Sequence, residues 1–315
     1  MRAYIARRLV TSLIVVIGIT IVTFGLLHLI YPSPALDVLG VHTSPIAINA
    51  WNRDNGFDRP WFMQYLHYMN ELAHGNLGYS YKVNQSVDAL FAERWGRSAW
   101  LSGLPLVLAV LLAIPVGIYQ AVRRNGVGDS VLTSVTFTAY AMPDYFLYII
   151  VIQIFALSLP IFSYEAAQST NLLTIMTDWH AMTLPILSLV LLYVSGYARY
   201  MRSASIDTLA QDYIKAARAK GLPEKLVLWR HLVRNAFLPM VTLIGLSIPA
   251  LLAGNIIAEE VWNYPGLGLL FYDSLGNADY NVLMAYVLIG AILTVLGNLA
   301  ADIALTVSDP RIRLA

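Results

Sequence analysis

The chain contains no cysteine, which excludes disulfide bonds and thiol-ligated metal centres. Charged residues are also scarce, at 12% of 315 residues, and they are almost absent from the long apolar runs, where Asp144 and Asp302 are the acidic residues. A carrier driven by protons or ions uses buried ionisable residues to couple transport to its gradient. Their scarcity argues against an autonomous secondary carrier and indicates that the driving force comes from elsewhere.

Several motifs of catalysis are missing as well. The chain has no G-x-x-x-x-G-K-[ST] phosphate loop, so it cannot bind ATP in the usual P-loop manner. It has no H-E-x-x-H motif, no G-x-S-x-G nucleophile elbow and no clustered His and Asp that would ligate a metal. We therefore predict no catalytic residue, no metal site and no cofactor held by this chain itself. The alternative of an intramembrane enzyme has no set of catalytic residues to support it.

Apolar sequence is what the chain has in abundance. It is 58% hydrophobic with a mean hydropathy of +0.62, which is too apolar for an ordinary soluble protein. A bilayer core about 30 Å thick needs roughly 20 apolar helical residues to cross it. Six continuous runs meet this requirement: residues 9–30, 100–122, 131–159, 182–200, 237–258 and 282–307. The sequence therefore predicts an all-α integral membrane protein, a six-span helical bundle.

Basic residues are distributed unevenly between the segments that join these runs. Fifteen of the twenty Lys and Arg lie before the first run, after the second, after the fourth or after the sixth. The positive-inside rule makes that side cytoplasmic, so both termini are predicted to be cytoplasmic. The net charge of +1 hides this asymmetry and implies no nucleic-acid partner. The first run is longer than a signal-peptide core and lacks a clear cleavage site, so we interpret it as a retained anchor.

The other basic residues fall in a long external loop, residues 31–99. Within it, Pro60 favours a helix start, and aromatic residues recur around it at roughly helical spacing. They are Phe57, Trp61, Phe62, Tyr65 and Tyr68. Such an aromatic face favours packing onto the membrane core or its interface, with contact to an external partner as the alternative.

The loop between the fourth and fifth runs, residues 201–236, is basic and helix-forming. Asp212 is a favourable N-cap for a helix over residues 213–220. Gly221 suits the left-handed position that follows a helix end. A cytoplasmic loop of this length and composition is typical of a docking surface.

Two features of this loop indicate what kind of docking is involved. Ala216 and Ala217 are small, so the surface of another protein could approach the first helix closely. After Pro223 a second helix is predicted, with one apolar face. That face would consist of Leu226, Trp229, Val233 and Phe237. A basic helix lying on anionic membrane lipid is the alternative, but lipid binding would not require paired alanines and a placed glycine.

These features resemble the cytoplasmic signature of bacterial ABC importer permeases, in which a helix with two alanines and a following glycine couples to the ATPase subunit. Ala216, Ala217 and Gly221 match that pattern, and Leu238-Pro239 resembles its closing Leu-Pro. Lys215 stands where many such permeases carry Glu, and the interval from the glycine to the proline is long. Both departures are features of the oligopeptide/dipeptide branch.

The resemblance extends along nearly the whole chain. Residues 56–60 with 75–79 resemble the outer-loop pattern of that branch, although Asn76 replaces the commoner Asp. Residues 259–273 resemble the segment after its fifth span, and Asp309-Pro310-Arg311 matches its usual ending. Motifs in this order make the family resemblance specific.

The resemblance implies a single transmembrane permease domain over residues 1–315, with the type I ABC importer fold, in the bacterial cytoplasmic membrane. It implies translocation of dipeptides or oligopeptides, with nickel complexes or haem as alternatives carried by close relatives. The implied partners are a sister permease chain, two ATP-binding subunits or a fused pair that bind ATP and Mg, and an extracytoplasmic substrate-binding protein. The residues implied in coupling to the ATPase are Tyr213, Ala216, Ala217, Lys220, Gly221 and Leu222.

A candidate contact for substrate lies at the outer end of the fifth run, where Glu259 and Glu260 precede Trp262. Paired carboxylates beside an aromatic ring could attract the ammonium group of a peptide through charge and cation–π contact. The alternatives are a solvated helix end and a docking contact for the binding protein.

Overall fold

The computed structural model describes residues 2–31, 33–40 and 42–308, so the motif at 309–311 lies outside the described residues. The described residues are mostly helical. In chain order the elements are α1 (Arg2–Ile30), α2 (Ala35–Leu39), α3 (Pro45–Asp54), α4 (Trp61–Ala73), β1 (Tyr79–Ser80), β2 (Gln85–Ser86), α5 (Val87–Val122), α6 (Val127–Ala141), α7 (Asp144–Ile152), π1 (Gln153–Ser158), α8 (Leu172–Thr177), α9 (Trp179–Leu209), α10 (Asp212–Ala219), α11 (Glu224–Leu226), π2 (Val227–Leu232), α12 (Val233–Ala236), α13 (Leu238–Ala253), α14 (Ile256–Val261), α15 (Leu267–Gly276) and α16 (Tyr280–Ser308). The symbols π1 and π2 denote π-helical segments.

The described residues contain four helices that are long and apolar enough to cross a membrane. They are α5, α9, and the segments Val10–Ile30 of α1 and Tyr280–Ala300 of α16. Two bent pairs of helices also qualify: α6 with the α7–π1 segment, bent by 108°, and the α11–α12 segment with α13, bent by 47°. Counted as one span each, the bent pairs complete the six predicted spans.

The third span is broken within its apolar run. The run covers residues 131–159, and the helix breaks between α6 and α7. Met142 is extended, with ψ of 141°, and Pro143 precedes α7. A proline disfavours helical geometry in the residue before it and cannot donate the hydrogen bond that would continue the helix. By contrast, Pro105, Pro115 and Pro185 lie inside the continuous helices α5 and α9.

Two other boundaries differ from the predicted runs because polar side chains cap the helices. α5 begins at Val87, well before residue 100, where the hydroxyl of Ser86 accepts a hydrogen bond from the backbone N–H of Ala89. α13 ends at Ala253, and Asn255 caps the separate helix α14 by accepting from the N–H of Ala258 at 3.1 Å.

The bundle core is centred on α9. The most extensive helix pair is α5 with α9, and α13 packs along α16. One buried cluster joins Met201 of α9 to Ile214 of α10 and Leu232 of π2. A second cluster surrounds Trp262 and Tyr264 beside α7 and α9. The segment after α9 is therefore anchored on the central helix of the bundle.

The segment before α5 folds against the first and last spans. α4 begins at Trp61, directly after Pro60, as predicted. Tyr65 and Tyr68 are buried in a cluster with Phe24 of α1 and with residues of α16. The predicted packing of the aromatic face onto the membrane core is confirmed for these two tyrosines, while Trp61 remains 45% exposed.

Candidate functional site

The helix α10 presents one face to the bundle and the other to solvent. Ile214 and Ala217 are 0% and 6% exposed, and both pack in the cluster that contains Met201. Both alanines were expected to face a partner. This is wrong for Ala217, which shares the inner face with Ile214 three residues before it. Among the other predicted coupling residues, Leu222 is half-buried, and those exposed are Tyr213, Ala216, Lys220 and Gly221.

The end of α10 is set by Gly221, as the sequence predicted. Its φ is +74°, its N–H donates to the carbonyl of Arg218 at 2.9 Å, and the N–H of Leu222 donates to that of Ala217 at 3.4 Å. These are the paired hydrogen bonds of a Schellman motif. A Cβ added here would meet nothing within 4 Å, so glycine is needed for the positive φ and not for space.

The start of α10 differs from the prediction. Gln211 is the N-cap, without a side-chain capping bond, and Asp212 is the first helical residue. The Asp212 carboxylate accepts a hydrogen bond from Lys215 Nζ at 2.9 Å in an exposed ion pair. An acidic residue in the first turn still favours the helix through its macrodipole, so Asp212 stabilises α10 from a different position.

An ion pair that sequence reasoning missed connects α10 to the next helix. Arg218 donates through Nε to Glu224 Oε2 at 3.1 Å and through Nη2 to Glu224 Oε1 at 2.6 Å. The bidentate geometry fixes the direction of the turn at Gly221 more firmly than a single contact would. Both side chains are about half exposed, so the contact orients the turn and adds only modestly to its stability.

The second helix of the loop buries only part of the predicted face, since Val233 and Phe237 are half-buried against the bundle core. Leu226 and Trp229 are 37% and 58% exposed, whereas Val227 and Leu232 are 0% exposed. The two buried residues lie five positions apart because they bound a π-helical segment, which has more residues per turn than an α-helix. The predicted face assumed α-helical spacing, which does not hold across this π-helical segment. Trp229 therefore lies on the exposed surface of the loop.

A buried ion pair, also missed from the sequence, lies beside this loop. Arg202 near the end of α9 donates through Nε and Nη2 to the two carboxylate oxygens of Asp129 in α6, at 3.0 and 2.9 Å. The Asp129 side chain is 5% exposed and also accepts from the N–H of Asn125 and the hydroxyl of Thr133. The pair ties the α5–α6 turn to the end of α9, from which α10 departs.

Glu259, in α14, is a buried residue with a structural role. It is 0% exposed and accepts backbone N–H bonds from Asn255 at 3.2 Å, Gly268 at 2.7 Å and Leu269 at 3.1 Å. Burial raises its pKa to about 7, against the opposing effect of these donors and the Ser98 hydroxyl. The interpretation of Glu259 as part of a solvated or substrate-facing carboxylate pair is therefore wrong in this conformation.

The other two residues of the candidate substrate site, Trp262 and Glu260, differ in their exposure. Trp262 is 0% exposed, with its ring 6.3 Å from that of Tyr148, so it cannot present a surface to a ligand. Glu260 is half-buried, and its side chain has no hydrogen bond to another described residue. Helical geometry explains the difference, because adjacent residues on a short helix point in different directions.

The turn between α14 and α15 closes tightly over Glu259. Arg97, only 3% exposed, donates to the carbonyls of Pro265 and Thr170, both at 3.0 Å. A Cβ added at Gly266 would lie 2.5 Å from Ser98 Oγ, which real side chains do not tolerate. Among residues 2–31, 33–40 and 42–308, no three His, Asp or Glu side chains are arranged to hold a metal ion.

Comparison with known proteins places this arrangement in a family. Residues 113–314 match the family described as the inner membrane component of binding-protein-dependent transport systems. Residues 1–101 match the N-terminal family of the membrane component of the same systems. Together the two matches cover nearly the entire chain.

Curated relatives are similar over their full lengths. The chain is 34% identical over 314 residues to the oligopeptide transport system permease protein AppB of Bacillus subtilis (strain 168), covering 99% of each chain. It is 33% identical over 310 residues to the glutathione transport system permease protein GsiC of Salmonella choleraesuis (strain SC-B67), covering 98% of each.

A solved structure has the same fold. An inward-facing form of the MetNI methionine ABC transporter aligns with a TM-score of 0.55 and 16% identity, over 70% of this chain and 96% of that one. This similarity confirms the predicted type I importer permease fold. The fold, the multi-pass arrangement and the two sequence matches lead to one conclusion: the chain belongs to the family of inner membrane components of binding-protein-dependent transport systems.

Proposed function

We propose that the chain is a membrane-spanning subunit of an ATP-driven importer that carries short peptides across the bacterial cytoplasmic membrane. The observation that carries this proposal is end-to-end similarity to permeases named for oligopeptides and for glutathione, which is itself a small peptide. No feature of the described residues favours nickel complexes or haem over peptides. The chain forms part of the path, and the energy comes from other subunits.

The partners follow from the same proposal. A sister permease chain completes the path, an extracytoplasmic binding protein delivers peptide, and two ATP-binding subunits or a fused pair bind ATP and Mg. This chain itself carries no ATPase site and holds no cofactor. Since the loop that meets the ATPase must be cytoplasmic, residues 201–236 face the cytoplasm, residues 31–99 face outward, and both termini are cytoplasmic.

The exposed face of α10 is the proposed coupling surface. Tyr213, Ala216 and Lys220 can touch an ATPase subunit, while Ile214 and Ala217 fix the inner face of the helix to the bundle. A displacement of α10 is therefore passed to α9 through packed side chains. ATP can bias the orientation of the bundle only if the ATPase contacts this surface differently in its two states.

Replacing Gly221 with valine is expected to reduce peptide-stimulated ATP hydrolysis and uptake strongly while leaving membrane insertion intact. Valine at a φ of +74° costs on the order of 1 kcal/mol or more, so the Schellman turn opens and α10 tilts. The measurement is ATP hydrolysis and radiolabelled dipeptide uptake by the complete complex in proteoliposomes.

Gly40→Val is the matched control. Gly40 also has a positive φ, +91°, and no neighbour within 4 Å of an added Cβ, but it lies after α2 in the outer segment. It should insert and transport peptide like the wild type. Normal coupling in Gly221→Val would remove α10 from the coupling role, and absent peptide uptake by the wild-type complex would remove the peptide importer itself.

The orientation can be tested with two matched lysines, because the chain has no cysteine of its own. Lys82 and Lys225 are both exposed, and the proposal places them on opposite sides of the membrane. In intact spheroplasts a membrane-impermeant maleimide should label Lys82→Cys and not Lys225→Cys, and permeabilisation should make both reactive. Labelling of Lys225→Cys from outside would overturn the orientation.

A further inference from the structure

A cleft of about 620 Å³ opens in the outer segment, away from both the coupling surface and the buried Glu259. It lies between the turn that follows α3, one face of α4 and the hairpin β1–β2, with Phe24 of α1 and Met284 of α16 at its base. Its volume falls within the range of small-molecule sites. Nothing in the coupling mechanism uses it.

One wall of the cleft contains the rings of Phe57, Tyr81 and Tyr280, and Trp51, which is not itself part of the lining, contacts two of them. Phe57 stacks on Trp51 with ring centres 5.4 Å apart, Trp51 meets Tyr81 edge-on at 5.5 Å, and Phe57 also meets Tyr280. The hydroxyl of Tyr81 donates to Asn55 Oδ1 at 3.1 Å, which fastens the hairpin to the turn after α3. The wall is therefore built from mutually supporting contacts and is preformed.

Two guanidinium groups line the cleft without a counter-ion. Arg53 at the end of α3 and Arg59 lie on either side of Gly56, whose φ of +75° turns the chain so that both border the same space. Among the described residues, no carboxylate forms an ion pair with either side chain, and no hydrogen bond to either guanidinium is present. Asp54 also lines the cleft without pairing with either arginine, so this end of the lining carries two positive charges and one negative charge.

Two of the groups that α4 contributes to the lining can interact with a polar ligand. Tyr68 is 9% exposed, and its buried hydroxyl has no hydrogen-bond partner in the described structure. A buried polar atom without a partner is uncommon in a folded protein and calls for an explanation. Glu71, whose Oε2 accepts a hydrogen bond from Asn76 at 2.7 Å, adds a negative charge to the lining.

We propose that this cleft binds a short peptide at the outer face, with Arg53 and Arg59 holding its terminal carboxylate and Glu71 facing its ammonium. The inference rests on the proposed peptide importer. Arginine suits this role because its planar guanidinium pairs with a carboxylate through two hydrogen bonds. The cleft carries charges of both signs beside a rigid aromatic wall, and a free peptide is a zwitterion with an apolar body. The site gives peptide a contact with this chain before it enters the path.

The test is direct binding to the complete transporter in nanodiscs, without the external binding protein. The probe is a dye-labelled dipeptide with a free C-terminal carboxylate, compared with the same dipeptide as its C-terminal amide, by fluorescence anisotropy. The acid should bind about tenfold or more tightly than the amide, because a charged hydrogen bond is worth at least that factor. Arg53→Gln with Arg59→Gln should abolish this preference.

Arg123→Gln with Arg124→Gln is the matched control, because both arginines are exposed and lie in the turn at the opposite end of α5. This variant should keep the preference for the acid. Tyr68→Phe should weaken acid binding without lowering the melting temperature, because the hydroxyl it removes has no partner in the fold.

The outcomes separate this inference from the proposed function. Equal binding of acid and amide, or unchanged binding in the Arg53/Arg59 variant, would overturn the site even if ATP-driven peptide uptake is normal. The Arg53/Arg59 variant could instead lose uptake only when the external binding protein is present, with its own peptide binding unchanged. That result would show that the arginines contact the binding protein, and it would also overturn the proposal.

Discussion

Asp129→Ala is expected to destabilise the chain by about 3 kcal/mol, because it leaves a partly buried guanidinium without its partner. Arg202 is 28% exposed in the side chain and directs two hydrogen bonds at the Asp129 carboxylate. The N–H of Asn125 would also lose its acceptor. The measurement is thermal or SDS-induced unfolding of the purified protein in detergent, followed by circular dichroism.

The exposed pair in α10 provides the control. Asp212→Ala removes the partner of Lys215, but both side chains are solvated, so little change in stability is expected. A double variant, Asp129→Leu with Arg202→Met, should recover much of the loss, because replacing both charges removes the uncompensated one. A melting temperature for Asp129→Ala equal to that of Asp212→Ala would show that the buried pair contributes nothing to the fold.

The buried ion pair of α6 and α9 is a contact that the sequence alone could not predict. Asp129 and Arg202 are 73 positions apart, and neither lies in a recognisable motif. Each resembles an ordinary charge at the end of a span, and only the packing of α6 against α9 brings them together. The same applies to Arg97, which was assigned to the external loop and is buried in α5. Contacts between distant segments leave no local signal.

Local signals, by contrast, predicted well. The apolar runs located all four helices that are long enough to cross a membrane, because crossing a bilayer requires a minimum length of apolar helix. Gly221 was recognised as a helix stop because a positive φ has a strong preference for glycine. An error arose where local geometry departs from the ideal α-helix: the π turn at Val227–Leu232 shifts part of the buried face of the second loop helix.

The candidate ligand site also depended on contacts between distant segments, which the sequence did not predict. Paired acidic residues at the end of the fifth run suggested an ammonium site, but Glu259 proved to be a buried acceptor of backbone hydrogen bonds. The acidic groups that line an open cleft are Asp54 and Glu71, in the segment before α5. Sequence gives the charge of a residue, and the fold decides whether that charge meets solvent or the backbone.

Glu259→Ala is therefore expected to have a large effect on the fold, about 3 kcal/mol or more. It leaves the N–H groups of Asn255, Gly268 and Leu269 without an acceptor in a buried site, and each such group costs about 1–3 kcal/mol. Glu259→Gln should be intermediate, because the amide keeps one acceptor oxygen but turns a donor toward at least one of these N–H groups.

A variant of the neighbouring glutamate tests whether the loss of stability comes from the hydrogen bonds of the Glu259 carboxylate. Glu260 carries the same charge and is the next residue of the same helix, but its side chain has no hydrogen bond to another described residue, so the unfolding of Glu260→Ala should be close to that of the wild type. The readout is SDS-induced unfolding together with protease cleavage in the Trp262–Gly266 turn, which Glu259→Ala should expose. Equal stability of Glu259→Ala and Glu260→Ala would mean that the α14–α15 turn holds without the buried carboxylate. Faster cleavage in Glu259→Ala alone would identify that carboxylate as the group that closes the turn.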